Sequence, residues 1–192
     1  MIHMERKDYT LEIVDALLKK PNHVRGAAKE LGVNHMMVSR KLKELLEDNV
    51  VDYRQEGKNK VFFLKKTLEA KNHVYAAEHY KLLQAVKKYP HLRKIIHAVQ
   101  ENKGIKMAVL FGSYAKGLAK KDSDIDIYVG TTDKKIKQDL ELLDSRLSVK
   151  IGKYNRENLL IKEIEKNHVI IKGVEEYYEK TPKNYKPLLT IT

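Results

Sequence analysis

Apolar residues in the first part of the chain recur at helical spacing in three successive stretches, which predict three helices. These stretches are residues 9–19, 24–31 and 35–47. Their apolar positions are Leu11, Val14, Leu17, Leu18, Val38, Leu42 and Leu45. Asn22 and Asn34 precede the second and third stretches, and each can cap the helix that follows it. The interval Gly32-Val33-Asn34 is short enough to predict a tight turn between the last two helices.

Two runs typical of β-strands follow the third helix, VVDYRQ and KVFFLK. Residues 56–59, which include Gly57, separate the runs and predict a hairpin turn. Three helices, the last two joined by a tight turn, followed by a hairpin, resemble the winged helix-turn-helix of many bacterial and archaeal transcription regulators. The resemblance covers about a third of the chain and implies a DNA-binding domain.

In that resemblance, residues 35–43 are the recognition helix, which enters the major groove of DNA. Its outward residues would face the bases, and Arg40 is the candidate for reading a guanine, because its fork can bond two acceptors. Basic residues of the hairpin would contact phosphates. The candidate DNA-binding residues are His35, Met36, Ser39, Arg40, Lys43, Arg54, Lys58 and Lys60. A winged helix used for protein contact or dimerisation is the alternative.

Residues 67–100 carry a largely helical pattern that is interrupted at Pro90. An apolar stripe along this segment predicts a packed helical connector between two domains. Long helices after winged domains also often form dimers in such regulators, so a homodimer is expected.

A small-residue turn and a pair of acids mark the second half of the chain. The apolar run 107–111 ends at Gly112-Ser113, and ten residues later Asp124 and Asp126 stand one residue apart. Alternate residues of a strand share a face, so the two carboxylates are expected to project together. Two carboxylates beside such a turn suit a divalent cation that carries the phosphates of a nucleotide.

This spacing is similar to the signature of the polymerase-beta-like nucleotidyltransferase superfamily, especially its minimal nucleotidyltransferases, which often act as antitoxins beside HEPN partners. The resemblance implies that Gly112 and Ser113 bind the triphosphate of ATP or another nucleoside triphosphate. It also implies that Asp124 and Asp126 are catalytic and bind Mg²⁺ or Mn²⁺. A HEPN-type toxin is the protein acceptor that the resemblance suggests.

The chain departs from that family at one position. Members usually supply a third carboxylate from the next strand, which is expected here at residues 147–152, and Lys150 stands in its place. An ammonium group cannot bind Mg²⁺, although it could contact a phosphate. The nearby acids Glu141 and Asp144 fall on a predicted helix. Intact transferase chemistry and loss of catalysis both remain open.

The element order predicts an α+β protein: a winged helix-turn-helix followed by a polymerase-beta-like nucleotidyltransferase domain with a small mixed sheet. The expected boundaries are 1–66 for the winged domain, 67–104 for the connector, 105–180 for the nucleotidyltransferase-like domain and 181–192 for a loose tail.

The composition indicates which partners and which cellular compartment are expected. The 192 residues have a formal net charge of +12, which favours a polyanionic partner such as DNA, although a lysine-rich surface can also serve solubility alone. The absence of cysteine suits a reducing cytoplasm. No apolar run approaches the length of a membrane span, so a cytoplasmic protein without membrane contact is expected.

Two functions follow from these patterns. The first is a DNA-binding protein whose Mg²⁺-dependent domain transfers a nucleoside monophosphate to a hydroxyl acceptor, a protein tyrosine being one candidate. The second is a transcriptional regulator whose nucleotidyltransferase-like domain is inactive and serves as a nucleotide sensor or dimerisation module.

Overall fold

A computed structural model of the protein describes residues 7–181. Its chain divides into two compact units, the first ending at Ala77 and the second running from Glu78 to Thr181. Of the tail predicted at 181–192, all but Thr181 lies outside the described residues.

The first unit has the element order helix, strand, helix, helix, strand, strand. The elements are α1 (Tyr9–Lys19), β1 (Asn22–His23), α2 (Val24–Leu31), α3 (His35–Glu47), β2 (Val51–Glu56) and β3 (Asn59–Leu64). The strands form an antiparallel sheet in the order β1-β3-β2. The helices bury Ile13, Val14, Val38 and Leu45, each at 0% exposure, against this small sheet. This arrangement confirms the predicted winged helix-turn-helix fold.

Local hydrogen bonds explain where the helices of this unit begin and end. The Asn34 side chain accepts from the Met36 amide at 2.7 Å and caps α3 as predicted. The expected cap of α2 was wrong, because the imidazole of His23, and not Asn22, accepts from the Gly26 amide at 2.9 Å. Asn22 lies instead in β1, paired with Phe62. Gly32 ends α2 in the left-handed conformation, with φ of +66°.

The second unit begins within α4 (Leu68–Lys88) and is built around a four-stranded sheet. Its further elements are α5 (Leu92–Glu101), β4 (Ala108–Leu110), α6 (Gly112–Ala115), β5 (Ile125–Val129), α7 (Lys134–Glu141), β6 (Leu147–Ile151), α8 (Leu159–Lys166), β7 (Val169–Lys172) and α9 (Val174–Lys180). The strand order is β6-β5-β4-β7. The pair β5–β6 is parallel and the other pairs are antiparallel, so the sheet is mixed, as predicted.

One face of this sheet forms the main core of the unit. Ile125, Ile127 and Val149 project from it and are completely buried together with side chains of α5 and α7. Because side chains alternate along a strand, the residues between them face the opposite side. The core therefore sets the direction in which Asp126, the acid of β5, points.

A buried carboxylate fixes α4 within the second unit. Glu78 is 0% exposed, accepts a hydrogen bond from the Tyr178 hydroxyl at 2.6 Å, and lies 2.8 Å from the Lys81 ammonium. The ring of His168 lies 3.5 Å from the same carboxylate. Burial alone would raise the pKa of Glu78, but Lys81 and His168 bring it down to about 2. The carboxylate is thus held ionised by its neighbours.

None of the helices within residues 7–181 is long and apolar enough to cross a lipid bilayer.

Glu78→Ala is expected to lower the free energy of unfolding by about 3–5 kcal/mol, because it removes the buried carboxylate that the Tyr178 hydroxyl and the half-buried Lys81 ammonium contact. Glu69→Ala is the matched control on the exposed part of the same helix, where the carboxylate bonds the Asn49 side chain. That control should cost less than about 1 kcal/mol. Urea denaturation of both variants measures the difference, and equal losses would contradict the structural role of Glu78.

Candidate nucleotide-binding site

The Gly-Ser turn lies at the end of β4. The strand ends at Leu110, and Gly112 starts the short helix α6 with φ of +68°, a backbone conformation that glycine adopts far more readily than other residues. Ser113 follows on the first turn of that helix and is half-buried. No side chain covers the backbone at Gly112, and the adjacent Ser113 adds one hydroxyl group.

Strand pairing brings this turn directly against the second acid. Leu110 pairs with Ile127, and the Phe111 amide donates to the Asp126 carbonyl at 2.9 Å. A Cβ atom added to Gly112 would lie only 2.5 Å from the Asp126 carboxylate oxygen Oδ2. The absence of a side chain at Gly112 therefore provides the space that the Asp126 carboxylate occupies.

The two acids have different surroundings. Asp124 lies just before β5 and is exposed, whereas Asp126 lies within the strand and is half-buried. Burial raises the pKa of Asp126, the charge of Asp124 raises it further, and Lys150 opposes the shift. Both carboxylates thus belong to one electrostatic site that gains from a bound cation.

The donor set fits a divalent cation of the Mg²⁺ type. Two carboxylates supply hard oxygen ligands, and Mg²⁺ is commonly held by one or two carboxylates together with substrate phosphates. Gly112 brings the Asp126 carboxylate close to the backbone of the Gly-Ser turn, so a cation on that carboxylate would lie beside the turn. Within residues 7–181, no group of three or more His, Cys, Asp or Glu side chains could hold a metal by itself.

The two acids near the predicted third position have other partners. Glu141 accepts a hydrogen bond from the Val149 amide at 3.1 Å, on the outer edge of β6. Asp144 accepts from the guanidinium of Arg146 at 2.8 and 3.1 Å, and these hydrogen bonds lower its pKa to about 2. Lys150 lies on β6, next to the strand that carries Asp126.

Two residues that position the site were not found from the sequence. Arg146 donates to the Lys121 carbonyl at 2.9 Å, and its own carbonyl accepts from the Ile125 amide at 2.8 Å, so it holds both ends of the segment before β5. Tyr114 is buried beneath the Gly-Ser turn, and its hydroxyl lies 3.0 Å from His91 Nε2. No local pattern marks either residue, since each acts through distant segments.

The predicted DNA-contacting residues are all exposed. His35, Met36, Ser39, Arg40 and Lys43 lie on α3, and Arg54, Lys58 and Lys60 lie on the hairpin or its turn. The Arg40 side chain is 72% exposed and only loosely paired, with its Nε 3.9 Å from Glu44.

Comparison with known proteins gives one family match, to the second unit of the chain. Residues 93–176, a little under half of the chain, match the family described as "Polymerase beta, Nucleotidyltransferase". A solved structure that matches is a homodimeric winged helix-turn-helix DNA-binding domain from Mycobacterium bovis, described as a possible ArsR-family transcriptional regulator. It is 24% identical, with 45% of this chain and 74% of that chain covered and a TM-score of 0.32. No curated protein matches the chain.

Gly112→Ala and Gly32→Ala both place a side chain on a positive-φ backbone, so each is expected to lose about 1–2 kcal/mol of stability. Only the added Cβ at Gly112 meets a carboxylate, because nothing lies within 4 Å of the Cβ position at Gly32. The Asp126 carboxylate should therefore move outward in Gly112→Ala alone, and its pKa should fall toward the usual value. Carbon-13 NMR titration of Asp126 checks this, and an Asp126 pKa shared by the two variants would contradict it.

Proposed function

We propose, on the basis of the polymerase-beta nucleotidyltransferase domain formed by residues 93–176, that this chain binds a nucleoside triphosphate with Mg²⁺ and transfers its nucleoside monophosphate to a hydroxyl acceptor. The observation that supports the proposal is the closeness of the Asp126 carboxylate to the Gly-Ser turn: its Oδ2 lies 2.5 Å from where a Cβ of residue 112 would be. In this proposal the turn binds phosphate and the carboxylate binds the cation, so both belong to one site.

Each residue of the site has a separate part in this proposal. Gly112 lets the triphosphate approach the backbone, and the Ser113 hydroxyl donates a hydrogen bond to it. Asp124 and Asp126 hold the cation, for which Mn²⁺ could substitute. When bound, the cation neutralises phosphate charge and makes pyrophosphate a better leaving group.

The transfer itself requires little covalent chemistry from the protein. The acceptor oxygen forms a bond to the α-phosphorus, and the bond from that phosphorus to the oxygen that bridges the α- and β-phosphates breaks. Pyrophosphate leaves with that oxygen, and the hydroxyl proton passes to the solvent. The residues of the site contribute by positioning the triphosphate and by balancing its charge. ATP with a protein tyrosine as acceptor is one form of this reaction, and a HEPN-type toxin as the acceptor stays a prediction.

The first unit is proposed to bind DNA through α3 and the hairpin. The exposed guanidinium of Arg40 can reach two acceptors of a guanine edge, and the exposed Lys58 and Lys60 suit phosphates. The net charge of +12 favours such a polyanion. Binding as a homodimer is part of this proposal, since two copies would read two half-sites.

A regulator without transferase activity is the second candidate. Lys150 and the engagement of Glu141 and Asp144 by other groups favour it, because the site then lacks a third carboxylate. The nucleotidyltransferase domain would in that case serve as a nucleotide sensor or dimerisation module. Transfer of label from α-³²P-ATP to a partner protein, lost in the double variant Asp124→Ala/Asp126→Ala, would favour the enzyme over this regulator.

Asp126→Asn is expected to abolish nucleotide binding with Mg²⁺ and at the same time to raise the melting temperature at pH 7. The raised pKa of Asp126 means that its stabilising contribution is present below the unfolded pKa and is lost as pH rises through the folded pKa. At pH 7 the ionised carboxylate therefore costs stability, which asparagine relieves. Calorimetric titration with ATP–Mg²⁺ and thermal unfolding measure the two effects.

Asp139→Asn is the matched control for that variant, since Asp139 is an exposed acid on α7. It should leave both the affinity and the melting temperature unchanged. Unaltered ATP affinity in Asp126→Asn would count against the proposed site.

Arg40→Ala is expected to weaken binding to operator DNA by about 1–3 kcal/mol, which is about five- to 150-fold, and to relax specificity at one base pair. Lys58→Ala should instead weaken binding to all sequences. It should also reduce the slope of the logarithm of the binding constant against the logarithm of the salt concentration by about one. Gel shifts on the DNA upstream of the gene, at several salt concentrations, measure both. Lys94→Ala, an exposed lysine of α5, is the control, and an equal loss in that variant would contradict a recognition role for Arg40.

A further inference from the structure

Lys150 is an exposed cation on the same face of the sheet as Asp126. Asp126 pairs with Ser148 across the parallel strands, and Lys150 follows two residues later on β6. Residues two apart on a strand share a face, so Asp126, Ser148 and Lys150 project from the same side. Within residues 7–181, Lys150 forms no hydrogen bond or ion pair that would hold its ammonium elsewhere.

Lys150 lies on the strand next to the one that carries Asp126, so its ammonium belongs to the same charged cluster as Asp124 and Asp126. Two carboxylates and one ammonium leave a formal charge of −1 in this cluster. One divalent cation is therefore enough to make the cluster positive toward a triphosphate.

A second cation would find no further carboxylate among residues 7–181 beyond the two acids that it would have to share. Ser148 opposite Asp126 is neutral, Glu141 is bonded to the Val149 amide, and Asp144 is bonded to Arg146. No third carboxylate of residues 7–181 joins Asp124 and Asp126 in a metal-binding group. A further divalent ion would also meet the positive charge of Lys150 on this face.

We infer that this site holds one divalent cation and that the Lys150 ammonium supplies the second positive charge to the phosphates of the nucleotide. This inference rests on the proposed nucleotide binding. Lysine is suited to the part, because its ammonium is a compact point charge with three donors on a flexible stem. Lys150 would then neutralise phosphate charge at a position where a carboxylate could have bound a second cation.

The number of Mn²⁺ ions bound with a non-hydrolysable ATP analogue tests this inference without any turnover. Electron paramagnetic resonance of free Mn²⁺, at saturating analogue, should count one ion per wild-type protein. Lys150→Asp adds a third carboxylate and should bind two ions. Lys150→Met removes the ammonium while keeping the length of the side chain, and should still bind one ion while weakening the analogue about tenfold or more.

Lys153→Met is the matched control, because Lys153 is another exposed lysine that follows β6. It should leave both the ion count and the affinity unchanged. Thermal unfolding of each variant verifies that it folds, as expected for substitutions of exposed side chains.

The outcomes separate this inference from the function on which it rests. Two Mn²⁺ ions in the wild type, or unaltered analogue affinity in Lys150→Met, would overturn the role of Lys150 while leaving nucleotide binding in place. One ion in Lys150→Asp would likewise contradict the idea that the ammonium excludes a second ion. Failure of the wild-type protein to bind the analogue at any Mn²⁺ concentration would overturn the proposed function, and the inference with it.

Discussion

The approach of the Asp126 carboxylate to the backbone of Gly112 is the contact on which the candidate site depends. It exists because β4 and β5 pair in antiparallel register, with Leu110 opposite Ile127, and because position 112 carries no side chain. The same register buries Ile125 and Ile127, so any shift of one residue would turn the acids into the core. Hydrophobic packing thus determines where the charges of the site can lie.

The arrangement of charges in the site is unfavourable for the stability of the protein. A half-buried carboxylate beside a second one is unfavourable, as the raised pKa of Asp126 indicates, and Lys150 compensates for only part of this. Elsewhere in the same unit the charged side chains are closely paired, as in Asp144 with Arg146 and Glu78 with Lys81. A carboxylate with a raised pKa, in a unit where other charged side chains form ion pairs, is typical of a ligand-binding site.

The supporting residues of the site come from segments that are far apart in sequence. Arg146 holds the segment before β5, and His91 lies against the hydroxyl of Tyr114. The loop between the Gly-Ser turn and the acids is held as well by Lys88, which donates to the Gly117 carbonyl, and by Lys116, which is paired with Glu163. The geometry of the site therefore depends on residues that lie far from it in sequence.

Periodicity and turn residues were enough to predict most of the helices and strands and the winged and mixed-sheet folds. They did not predict the short elements β1 and α6, and β5 begins only after Asp124, so alternation along the strand applies to Asp126 alone. The cap of α2 was another local error, because asparagine and histidine can both accept from a helix amide and only β1 pairing decided between them. Local patterns do not indicate contacts between distant segments, which only the folded structure shows. Glu78 is buried beside Lys81, His168 and Tyr178, and Glu141 and Asp144 are hydrogen-bonded to other groups. Lys150 lowers the pKa of Asp126. The physical reason is that charge interactions depend on distance through space and on burial, neither of which spacing along the chain defines.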